Sequence, residues 1–94
     1  MDNSALTSEI VVYWRPGCGF CASLEHQLID ANIKFRKVNI WDDPQAAEFV
    51  RSVARGNEIV PTLSIGSVSL VNPSLQSVIA TAAKHAPGAF APVC

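Results

Sequence analysis

"EIVVYWRPGCGFCASL", residues 9–24, joins an apolar run, a break and two cysteines three positions apart. EIVVYW, residues 9–14, is short and rich in β-branched and aromatic side chains, which predicts a buried strand. Pro16 and Gly17 then interrupt the chain. From Cys18 onward, Cys21, Leu24, Leu28 and Ala31 recur at helical spacing, while Glu25, Gln27 and Asp30 fall on other faces. An amphipathic helix is therefore expected to run to about Asn32, with Cys18 at its N-terminus. Alone, the spacing permits metal binding, a structural staple or electron transfer.

Outward from this unit, KFRKVNI at 34–40 alternates apolar and polar residues and predicts a second strand. Asp43-Pro44 is a helix start, with Asp as cap and Pro in the first helical position. Ala46, Phe49, Val50 and Val53 mark the buried face of that helix, and Gly56 is its expected stop. Two apolar runs, Ile59 to Ile65 and Val68 to Val71, flank Gly66-Ser67, a pair suited to a tight hairpin turn. Asn72-Pro73 repeats the cap-plus-proline device before a last helix facing inward through Leu75, Val78, Ile79, Ala82 and Ala83. Pro87 and Gly88 are expected to end it, leaving residues 87–94 as a loose tail and 1–8 as a flexible lead. The order is strand, helix, strand, helix, hairpin, helix over residues 9–86. It calls for a right-handed parallel βαβ unit, an added antiparallel hairpin, and helices on both faces of a mixed α/β sheet.

A chain of 94 residues supports one core. Hydrophobic residues make up 49% and charged residues 16%, the composition of a packed globule. A formal net charge of −1 provides no long-range attraction to phosphate, so nucleic acid is not an expected partner. No apolar run approaches the roughly 20 residues of a membrane span. MDNSALTSE, residues 1–9, has neither the basic flank nor the hydrophobic stretch of a signal peptide, so the expected location is cytoplasmic. Thiols stay reduced there unless they cycle.

That setting weighs on the two thiols. A structural zinc site needs four ligands, and His26 and His85, in separate helices, form no spaced pair. No metal is expected. A staple three residues long serves little purpose in a reducing compartment. Redox chemistry fits best. Unpaired amide N–H groups and the helix dipole favour a thiolate at Cys18, with Arg15 as an added cation. Cys21 lies one turn on along the same face, placed to resolve a mixed disulfide. Pro61, in IVPT, interrupts what reads as a central strand, a conflict that a cis Val60–Pro61 peptide resolves.

At this point the residues resemble a known family. A CxxC at a strand-to-helix turn, followed by Val60-Pro61-Thr62 before a hairpin, resembles the thioredoxin fold. "VYW..GCGFC" and the short chain are similar to its glutaredoxin branch. "AAEFVRSVARGNEIVPT" at 46–62, with "LVNPS" at 70–74, resembles the mycoredoxins, glutaredoxin-like reductases of mycothiol mixed disulfides. The resemblance implies a β-α-β-α-β-β-α order with a four-stranded mixed sheet. It implies Cys18 as nucleophile, Cys21 as resolving thiol, and Val60 and Pro61 lining the thiol site. Arg15, Phe20, Asn72, Pro73 and Ser74 would face the rest of the ligand. No bound cofactor is expected. Mycothiol is the implied cosubstrate, and the implied partners of a monomer are protein mixed disulfides and the mycothiol reductase system.

Gly17 stands where mycoredoxins carry Trp, and Gly19-Phe20 replaces Pro-Tyr inside the motif. CGFC also resembles the CGFS of cluster-carrying monothiol glutaredoxins, without the lysine that precedes it there. Two alternatives therefore stand beside the mycothiol reading: a thioredoxin-like electron donor reduced by a flavoprotein, and a carrier of a [2Fe–2S] cluster. Trp41 reads as a surface aromatic, and Cys94 as an incidental thiol in the tail.

Overall fold

A computed structural model describes residues 9–90. Its elements run β1 (Ile10–Trp14), α1 (Gly19–Asp30), β2 (Arg36–Asn39), α2 (Pro44–Val53), β3 (Thr62–Ile65), β4 (Val68–Val71) and α3 (Leu75–His85). The four strands form one sheet in the order β2-β1-β3-β4. β1 pairs parallel with β2 and antiparallel with β3, which pairs antiparallel with β4. This is the mixed sheet expected from a βαβ unit followed by a hairpin.

The pleat of β1 sorts the core. Ile10 and Val12 point to one face, where they pack with Leu24 and Leu28 of α1 and Val78 and Ala82 of α3. Tyr13 and Val38 join Ile40, Ala46, Ala47 and Val50 under α2 on the other face. Helices therefore cover both sides. Tyr13 packs against Phe49 with ring centroids 5.0 Å apart and the rings tilted by 40°.

The helix boundaries follow local chemistry. The Asp43 carboxylate accepts the N–H groups of Gln45 and Ala46 at 3.1 and 3.2 Å, with Pro44 in the first position as expected. α1 ends where Asn32 turns left-handed (φ 59°) and Ile33 N–H reaches the Leu28 carbonyl at 3.0 Å. α2 closes in the same way, but Arg55 (φ 58°) rather than Gly56 takes the first left-handed position. Gly66 opens the hairpin turn at φ 60°, and a Cβ there would lie 2.5 Å from the His85 carbonyl oxygen. Only glycine fits both demands.

Four expectations are corrected. β3 begins at Thr62, not Ile59, because Pro61 has no N–H to give to the ladder. α3 is capped by Ser74, whose Oγ accepts the Ser77 N–H at 3.1 Å, and not by Asn72. Asn72 instead turns left-handed (φ 48°) and donates its N–H to the Pro61 carbonyl at 2.7 Å, which pulls it out of cap geometry. The inward face of α3 is Leu75, Val78 and Ala82, continued by Ala86, while Ile79 and Ala83 face outward. Finally, the fold extends past residue 86. A 3-10 turn at Pro87–Ala89 buries Ala86 and Ala89, and Phe90 bridges to Ile33 while Lys34 N–H donates to the Ala89 carbonyl at 2.7 Å. The apolar Ala89-Phe90 pair finds a place on the core that a tail reading did not foresee. Residues 1–8, 91–93 and Cys94 lie outside the described residues.

Candidate active site

Parallel pairing of β1 and β2 and antiparallel pairing of β3 and β4 bring four loops to one edge of the sheet. Along that edge they stand in strand order: the segment after β2, Arg15 to Cys18 after β1, Val60-Pro61 before β3, and Asn72 to Ser74 after β4. Gly17 (φ 82°) makes the turn that delivers Cys18 to the start of α1.

Cys18 is the N-cap of α1, in extended conformation, and its sulfur accepts the Cys21 N–H at 3.2 Å. A helix N-terminus thus directs its free amides at the sulfur. The Cys18 thiol also lies 3.7 Å from the Val60 carbonyl, so the cis-proline loop and the CxxC turn form one site across a separation of 42 residues. That loop is itself fixed, since Thr62 Oγ1 donates to the Ile59 carbonyl at 2.7 Å and Pro61 accepts from Asn72. Cys18 is partly exposed, whereas Cys21 is buried, with 1% of its surface accessible.

Burial pushes the Cys21 thiol up to about 12, and the side-chain hydrogen bond with Cys18 acts in the same direction. A backbone hydrogen bond with Arg15 opposes the shift, and the Cys18 and Glu25 charges add to it. Two identical side chains one turn apart are therefore unlike. Cys18 is reachable and held by N–H donation; Cys21 is enclosed and keeps its proton.

Beside Cys18, on the β3–β4 side, a groove of about 240 Å³ runs between α1 and the start of α3. Phe20, Pro61, Asn72, Pro73 and Ser74 all line it, so five of the residues expected to meet a ligand share one wall system. Phe20 is 73% exposed at this site. Sequence reasoning missed Ser23, Gln27 and Gln76, which line it together with Leu24 and Leu75. Helical spacing placed Gln27 off the core face of α1, but nothing local signalled that this face borders the α3 start. Arg15 departs from expectation: its guanidinium lies over the Trp41 ring, 5.9 Å from the centroid, while the hydrogen bonds of the Cys18 sulfur go to Cys21 and Val60. Lys37 sits over Trp14 at 4.7 Å and pairs with Glu25 at 3.2 Å.

A partly exposed, helix-capping cysteine, a buried partner one turn on and a cis-proline loop against them define a thiol–disulfide oxidoreductase of the thioredoxin fold. Comparison with known proteins narrows this class. The Glutaredoxin family profile matches residues 10–70. Two Mycobacterium tuberculosis proteins named as glutaredoxins, from strains CDC 1551 and H37Rv, are each 38% identical over 82 residues, covering 86% of this chain and 98% of theirs. The chain belongs to the glutaredoxin family. Among solved structures, buckwheat glutaredoxin in complex with glutathione matches with a TM-score of 0.67 at 14% identity, covering 94% of this chain and 88% of that one. The Archaeoglobus fulgidus glutaredoxin matches at 0.66 with 18% identity, covering 79% and 85%. Escherichia coli NrdH-redoxin, a glutaredoxin-like protein described as having a thioredoxin-like activity profile, matches at 0.59 with 27% identity over 67% and 80%. Among the described residues no helix is long and apolar enough to cross a membrane.

Proposed function

We propose that this glutaredoxin is mycoredoxin-like, a cytoplasmic monomer that reduces mixed disulfides between proteins and mycothiol. The Cys18 thiolate attacks the small-thiol sulfur, so that a Cys18–mycothiol disulfide forms and the protein thiolate leaves and takes up a proton. A second mycothiol thiolate then attacks that sulfur, releasing mycothiol disulfide and restoring the Cys18 thiolate. In the dithiol branch Cys21 loses its proton and displaces mycothiol, leaving a Cys18–Cys21 disulfide for an external reductant. Burial of Cys21 and its retained proton favour the first route. Val60 presents its backbone to the cysteinyl moiety of the ligand, a one-residue form of strand addition.

One observation carries the choice of thiol. The groove beside Cys18 offers Ser23, Gln27, Asn72, Ser74 and Gln76, with no charged side chain in its lining. Glutathione has two carboxylates, and each charge-assisted hydrogen bond it fails to make costs roughly 1.5–3 kcal/mol, about ten- to a hundredfold in affinity. Neutral amides and hydroxyls suit the hydroxyls of an inositol-glucosamine instead. The test is turnover of one protein mixed disulfide made with each thiol. Equal or better kinetics with glutathione would sink the assignment and leave the oxidoreductase class intact.

A second reading, a thioredoxin-like electron donor, is favoured by the 27% identity to NrdH-redoxin. NADPH consumption with a thioredoxin-type flavoprotein reductase, in the absence of any small thiol, tests it.

A further inference from the structure

The groove uses only one side of Cys18. On the other side stands Trp41, 61% exposed, in the segment that follows β2. Strand order makes it a neighbour of the reactive turn, because β2 and β1 run parallel and the Ile40 N–H donates to the Trp14 carbonyl at 2.9 Å. The indole is held by the Arg15 guanidinium across its face, three residues before Cys18. Exposing so large an apolar ring beside a reactive sulfur needs a reason, since exposed aromatics anchored in place are characteristic of recognition surfaces. Arg36, Lys37 and Arg51 each hold a carboxylate among the described residues, whereas the exposed Arg15 lies over an indole and has no carboxylate partner among those residues. Asp43, two residues after Trp41, is committed to capping α2.

We propose that Trp41 and Arg15 form the docking shelf for the protein half of the mixed disulfide. The shelf takes a segment with an apolar side chain on the indole and a carboxylate on Arg15. The proposal rests on the groove receiving the small thiol. Strand order puts the segment after β2 on the side of Cys18 opposite Pro61 and Asn72, the side left to the other half of a disulfide whose small half lies over those two residues. Protein recognition and small-thiol recognition are then separable by mutation.

The test is steady-state reduction of three mycothiol mixed disulfides. One is made with 2-mercaptoethanol, which has no protein half. The others are made with a short peptide whose cysteine is flanked by Leu and Glu, and with its Glu-to-Lys counterpart. Trp41→Ala is expected to lower kcat/KM for the Leu/Glu peptide about tenfold, as truncation of an aromatic anchor does, and to leave the 2-mercaptoethanol substrate within about twofold. Trp41→Phe recovers part of the loss, and Arg15→Gln removes the preference for Glu over Lys. An equal loss on all three substrates, or no loss on the peptide, overturns the shelf. Should glutathione serve as well as mycothiol, the same peptides as glutathione disulfides still read the shelf, so its failure is distinct from failure of the thiol assignment.

Discussion

On the β3–β4 side of Cys18, the starts of α1 and α3 line a groove whose polar side chains are all uncharged. On the β2 side, one indole and one guanidinium stand exposed, the guanidinium over the ring. Both flanks hang from the same sheet edge, and both are loops whose side chains the core does not choose. The sheet fixes where each flank stands relative to the sulfur. The loop sequence alone sets its chemistry. A family fold can therefore keep one reaction and change what it acts on, one flank at a time.

The largest effect should come from the sulfur between the flanks. Cys18→Ser is expected to abolish turnover of every substrate in a reductase-coupled assay. Cys21→Ser should still accept electrons from the small thiol and reduce mixed disulfides, losing only dithiol reduction. If Cys21→Ala proves as inactive as Cys18→Ala on a mixed disulfide, the monothiol route is wrong.

Next in size is the pH dependence of alkylation. Because the neutral form of Cys21 is favoured, its thiolate is scarce at neutral pH and grows only as pH rises towards about 12. That shift holds the Cys21 thiolate fraction at neutral pH well below that of an ordinary thiol. Iodoacetamide at neutral pH, followed by peptide mapping, should label Cys18 and spare Cys21. Equal labelling in the folded protein would remove the contrast between the two thiols.

A charge placed in the neutral groove sharpens the comparison of flanks. Asn72→Asp or Gln27→Glu should cut kcat/KM for mycothiol mixed disulfides roughly tenfold, the cost of one mismatched polar contact. The fall should be the same for the 2-mercaptoethanol and peptide substrates, in contrast to Trp41→Ala. Smallest of all on activity should be Phe90→Ala. Phe90 packs partly buried against the core and bridges Ile33, so its truncation should cost about 2 kcal/mol of stability, read as a lowered Tm. The ratio of peptide to 2-mercaptoethanol turnover should not move, because neither flank touches that segment.

The main elements were legible because each announces itself locally. EIVVYW before Pro16-Gly17, and Cys21, Leu24 and Leu28 after it, carry strand and helix periods that the core then enforces. Asp43-Pro44 needs only its own next residues to make a cap. Asn72-Pro73 looks alike and behaves differently, since its amide is drawn to a carbonyl eleven residues earlier in the chain, a partner that no local pattern reveals. Phe90 and Ala89 follow a proline and a glycine and read as tail, yet the gap beside Ile33 gives them a place. No local pattern reveals that the Arg15 guanidinium lies over the ring of Trp41, which belongs to the neighbouring loop.

Sequence by itself determined the chemistry of this protein: two thiols one helical turn apart at a strand-to-helix break, a proline set to oppose them, and alternating elements that close into a two-faced sheet. These rest on contacts between near neighbours and on the side-chain periods of helix and strand, which are written along the chain. Tertiary structure alone decided which thiol is reachable, that the Val60 carbonyl lies 3.7 Å from Cys18, and which side chains share the groove. Burial and cross-chain approach depend on how strands are ordered in the sheet, and residues far apart in sequence acquire that relation only when the core packs.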